Sequence, residues 1–117
     1  MNFDYAQNIG ALTAEQRLHF YELLAHNLTI SVRAIWSATE ITEGEKINRL
    51  KWVNEILHQV TSKIYHLRLQ QNAWSETATW ETIKHWVTQN PAIGGDIGWA
   101  IQTSYHCVLK QNNENHP

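Results

Sequence analysis

Two apolar stripes of the same period dominate the first two-thirds of the chain. Leu18, Tyr21, Ala25, Leu28, Val32 and Ile35 recur at spacings of 3-4-3-4-3, and so do Leu50, Val53, Leu57, Val60, Ile64 and Leu67. That period keeps six side chains on one side of an α-helix. Each stripe follows a threonine with a polar residue three positions on: Thr13 with Gln16, and Thr42 with Glu45. The threonine oxygen can accept a backbone N–H there, while the later side chain reaches back to the threonine N–H. The pattern predicts helices over residues 14–39 and 43–71, joined by a short turn as an antiparallel hairpin with facing seams. At 1.5 Å per residue each helix is about 40 Å long, more than the roughly 30 Å diameter of a compact chain of this size.

A shorter pair follows. Ser75 suits an N-cap, and Glu76 then sits at the positive end of the helix dipole. Trp80, Ile83 and Val87 form the stripe of a helix over 76–89, which Asn90-Pro91 ends because a residue before proline resists helical geometry. After a tight Ala92–Gly95 connection, a helix over 95–110 puts Ile97, Ile101, Ser104 and Val108 on one face. Asp96 reads as a cap of that helix, and Gly98 as a place of close helix contact. Residues 1–12 read as an N-terminal arm and 111–117 as a frayed tail. No segment alternates apolar and polar with period 2. The expected fold is therefore all-α, a single four-helix bundle-like domain over residues 1–117.

The first predicted helix is more apolar than an edge helix requires. Beyond its seam it carries Phe20, Leu23, Leu24, Ile30, Ala34 and Trp36, and on a helical wheel Leu23 and Ile30 fall nearly opposite the seam. Either the helix is central, with the others packed round it, or a second copy or partner covers its outer face. Phe20, Leu23, Ile30, Trp36 and Trp52 are the interface candidates, since aromatic residues concentrate where proteins bind one another.

Composition narrows the function classes. Charged residues make up 17% of the 117 positions and the formal net charge is −2, without the basic excess of a dedicated nucleic-acid binder. Lys46, Arg49, Lys51, Lys63 and Arg68 do gather on the second predicted helix, but Glu45 and Glu55 are interspersed. One cysteine, Cys107, rules out an internal disulfide framework. No apolar run approaches the roughly 18–20 residues of a membrane helix, and MNFDYAQNIG lacks the basic start and apolar core of a secretion signal, so the expected setting is the cytoplasm.

Seven histidines raise the question of a metal. Di-iron bundles use two Glu-x-x-His pairs and two further glutamates. Glu55-x-x-His58 supplies one such pair and Glu22 a lone carboxylate, but a second pair is missing and the last helix offers His106 without an interior acid. A site drawn from His19, Glu22, His26, Glu55 and His58 requires that their helix faces converge. No H-E-x-x-H motif and no phosphate-binding glycine loop occurs, so no cofactor is expected. The residues point to a small helical protein that acts by protein–protein contact, as an adaptor, an antitoxin-type inhibitor or a regulatory subunit, and as a homodimer. The alternatives are a metal-dependent bundle enzyme using His and Glu and, more remotely, a nucleic-acid-associated regulator.

Overall fold

The computed structural model of the chain describes residues 5–69 and 76–114. It contains α1 (Tyr5–Gly10), α2 (Ala14–Ser37), α3 (Glu43–Arg68), α4 (Glu76–Gln89), a 3-10 turn (Pro91–Ile93) and α5 (Gly94–Glu114). The all-α bundle is as expected: four of the five helices are long and no strand occurs among the described residues.

The caps of the hairpin form as the sequence predicts. Thr13 Oγ1 accepts from the Gln16 N–H at 3.1 Å, and Gln16 Oε1 accepts from the Thr13 N–H at 2.9 Å. Thr42 Oγ1 accepts from the Glu45 N–H at 3.1 Å. At its far end α2 stops at Ser37, two residues before the expected 39, because Ala38 turns extended while its N–H still reaches the Ile35 carbonyl. Residues 70 and 71 of the second predicted helix, and the Ser75 cap of α4, lie outside the described residues.

Both ends of the chain are more helical than expected. Within the supposed arm, residues 5–10 form α1, with Ile9 fully buried. A helix end leaves carbonyls without partners, and here Arg17 Nη2 donates to the carbonyls of Gly10 and Leu12 at 3.0 and 3.1 Å. Six residues are too few to show a period, so the apolar pattern does not reveal this helix. The last helix begins one residue earlier than expected, straight from the 3-10 turn, and runs to Glu114 rather than stopping at 110.

α2 packs along α3 on one side and along α5 on the other. Two stripes of α2 are therefore buried, Tyr21, Leu28 and Ile35 together with Phe20, Leu24, Asn27 and Ser31. The second stripe explains much of its surplus apolar content. Asn27 Nδ2 donates to Ser104 Oγ at 2.9 Å, and that hydroxyl donates to the Ala100 carbonyl at 2.6 Å, a satisfied polar link that fixes α5 on α2. Ile97, Ile101, Ser104 and Val108 are all buried.

α3 is rotated from its predicted seam. Val53, Val60 and Ile64 are buried, but Leu50, Leu57 and Leu67 are only half-buried, and Ile56 and Lys63 take places in the interior. The rotation brings two cations of α3 to acids in the first turns of the later helices. Arg49 Nη2 lies 2.8 Å from Asp96 Oδ2 of α5, and Lys63 Nζ lies 3.3 Å from Glu76 Oε1 of α4. Asp96 is thus an ion-pair partner of α3 as well as a first-turn acid. The molecule measures 48 × 32 × 30 Å, elongated along the hairpin.

Candidate functional site

Three regions carry the chemistry of the described residues. The first is built on Glu76, at the start of α4. Its Oε1 lies 3.6 Å from Arg17 Nε and 3.3 Å from Lys63 Nζ. Its Oε2 accepts from the Tyr21 hydroxyl and, at 3.3 Å, from Trp80 Nε1. The Lys63 ammonium also sits 6.0 Å from the centre of the Tyr21 ring. Burial pushes the Tyr21 phenol far above its usual range, and the negative charge and hydrogen bond of Glu76 add to that. The phenol is therefore a hydrogen-bond donor held neutral. One carboxylate ties α2, α3 and α4 together, and Arg17 extends the tie to α1. Its partners are turned on one another, so the arrangement joins elements rather than presenting a reactive group. None of its residues was singled out from sequence as a site. The available signal was Lys63 in the 3-4-3 series Val53, Ile56, Val60, Lys63, a cation at a core position.

The second region is a cavity of about 90 Å³ between α4 and the start of α5, lined by Trp80, Ile83, Val87, Ile97, Gly98 and Ile101 among others. Among the described residues, Lys84 is the only charged one lining it, and no His, Cys, Asp or Glu does. It offers apolar space without an acid–base pair.

The third region is the side of the α2–α3 hairpin turned away from α4 and α5. Trp36 is 67% exposed, Ile47 63% and Tyr65 63%. On α2, Leu18, Ala25, Thr29 and Trp36 follow one line at spacings of 7-4-7, and on α3, Ile47, Asn54, Thr61 and Tyr65 follow another at 7-7-4. Leu18, Ala25 and Thr29 are half-buried, and Asn54 and Thr61 are exposed. The Thr29 and Thr61 hydroxyls donate to the carbonyls of Ala25 and Leu57 at 3.0 and 2.8 Å. Their polar groups are thus satisfied within their own helices, which lowers the cost of covering this face.

The interface candidates separate. Phe20 is fully buried in the chain's own core, 6.2 Å from Trp80 ring to ring, and is not available to a partner. Leu23 is half-buried against that core. Trp52 is half-buried and tilted against Trp86 at 6.5 Å. Ile30 is 40% exposed and Trp36 far more so. Ile47 and Tyr65 were not singled out from sequence, because neither belongs to the apolar seam of its helix.

The metal candidates do not converge. His19 Nε2 is 2.6 Å from Gln111 Oε1, and Glu22 pairs with Arg68 at 3.0 Å. His26, Glu55 and His58 are exposed. Among the described residues, no three His, Cys, Asp or Glu side chains stand close enough to hold a metal ion. The basic run on α3 is also largely paired: Lys46 with Glu43, Arg49 with Asp96, Lys63 with Glu76 and Arg68 with Glu22. Among the described residues, no helix is long and apolar enough to cross a membrane. The chain matches no known protein family, no curated protein and no solved structure.

Proposed function

We propose that this chain works by binding protein, through the outer face of the α2–α3 hairpin, as an adaptor, inhibitor or regulatory subunit in the cytoplasm. The observation that carries the reading is the exposure of Trp36, Ile47 and Tyr65 on one side of the hairpin. Large apolar side chains exposed along one face favour contact with a partner. The single cysteine accords with a reducing compartment. Neither alternative gains a specific observation, since the metal candidates are dispersed and most of the α3 cations already face carboxylates.

Affinity capture with the wild-type chain and with a Trp36→Asp/Ile47→Asp double variant tests the reading. The wild type should retain a protein partner, its own copy included, that the variant loses. Equal retention by both, or a stoichiometric metal that disappears on His19→Ala or His58→Ala, would overturn it.

A further inference from the structure

We infer that the occupant of this face is a second copy of the same chain, packed antiparallel about a two-fold axis that crosses the middle of the hairpin. The inference rests on the reading of the face as a contact surface.

Self-complementarity carries the argument. Leu18 and Trp36 lie on one line of α2, eighteen residues apart, and Ile47 and Tyr65 lie on one line of α3, also eighteen apart. Eighteen residues are about five whole turns, so each pair shares a direction. A two-fold axis perpendicular to the helices lays α2 on the partner's α2 and α3 on the partner's α3, each reversed. With its centre at position 27 on α2, the axis sets Leu18 against the partner's Trp36, and Ala25 against the partner's Thr29. With its centre at position 56 on α3, it sets Ile47 against the partner's Tyr65. These centres must be level for one axis to serve both helices. The turn between Ser37 and Glu43, the Lys63–Tyr21 contact and the Arg68–Glu22 pair put residue 27 of α2 beside residues 53, 57 and 63 of α3 in turn, a stretch that contains position 56.

Charge accords with the antiparallel arrangement. Glu15 and Glu22 lie toward the open end of the hairpin, and Arg33 lies toward its closed end. Neither Glu15 nor Arg33 has an ion-pair partner among the described residues. Reversal about position 27 brings Glu22, which already meets Arg68 at 3.0 Å, within one residue of the partner's Arg33. The area is sufficient too. Two helices about 36 Å long and together about 20 Å wide present roughly 700 Å², close to the ~800 Å² per partner of a standard stable interface. Ile30 lies outside this contact, on the flank near Asn27, the residue that bonds α5.

Sedimentation equilibrium of the full chain decides the matter. The wild type should have twice the 13.6 kDa chain mass, and Ile47→Asp and Trp36→Asp should return the single mass. Ile30→Asp should remain a dimer. Arg33→Glu should weaken the dimer, and Glu22→Arg added to it should restore part of the affinity. A dimer indifferent to Ile47→Asp, or broken by Ile30→Asp, would overturn the inference while leaving a protein-binding role in place. Indifference to Arg33→Glu would overturn the antiparallel arrangement. A monomeric wild type would overturn the second copy as occupant. If that monomer forms a heavier complex in cell extract that Ile47→Asp abolishes, the contact-surface reading survives with another occupant; if it forms none, both fail.

Discussion

The two sides of the α2–α3 hairpin use similar residue types to opposite ends. On the inner side, a phenol, a lysine and an arginine close on Glu76, and Phe20 and Trp80 seal the surroundings. On the outer side, a tryptophan, an isoleucine and a tyrosine stand in solvent, and the nearby Glu22–Arg68 pair is exposed. The difference is one of solvent. A buried charge must keep its partner, because the penalty for losing it is several kcal/mol, whereas an exposed pair is screened and contributes little. The inner side therefore holds the fold, and the outer side is free to hold something else.

The largest effect is expected from Glu76→Ala. Lys63 and Arg17 would lose their shared carboxylate inside the protein, and chemical unfolding should show a loss of about 3–5 kcal/mol. A loss below about 1 kcal/mol would mean that the inner cluster behaves like a surface pair.

Tyr21→Phe comes next. It removes a hydrogen bond to a charged group and should cost about 1.5–3 kcal/mol near neutral pH. It should also change the alkaline behaviour. In the unfolded chain the phenol loses its proton near pH 10. In the folded chain, burial and Glu76 hold the proton to higher pH. Above about pH 10 the folded state thus binds more protons than the unfolded one, and stability falls by up to about 1.4 kcal/mol per pH unit from this group. The wild type should therefore lose stability more steeply than Tyr21→Phe, with no difference in slope between them below about pH 9. Equal slopes would mean that the phenol is not buried beside a carboxylate.

The smallest expected effect is on the outer side. Arg68→Ala should change monomer stability by less than about 1 kcal/mol, since its pair with Glu22 is open to water. A larger loss would place that pair among the supports of the fold.

What the sequence reveals follows the same division. Periodicity and threonine caps locate α2 and α3 because those signals are local and repeat over several turns. Ser104 and the isoleucines of α5 are legible for the same reason. α1 is not, since six residues are too few to show a period and an arginine beyond its own end meets the Gly10 carbonyl. Lys63 reads as part of a basic surface because its counter-charge, Glu76, is brought to it only by tertiary packing. Phe20 reads as surplus because the stripe that faces α5 has no partner until α5 is in place. The outer line is hidden differently: Ile47 and Tyr65 sit among polar neighbours, and only the rotation of α3 shows that they share one open face.

The measurement that tests the outer face most directly is the thermal midpoint followed across a wide range of protein concentration. Association of the folded chain stabilises it by mass action, so the wild-type midpoint should rise with concentration, and the Ile47→Asp midpoint should not. A wild-type midpoint independent of concentration, or one that rises equally in the variant, would contradict the assignment of this face to a second copy.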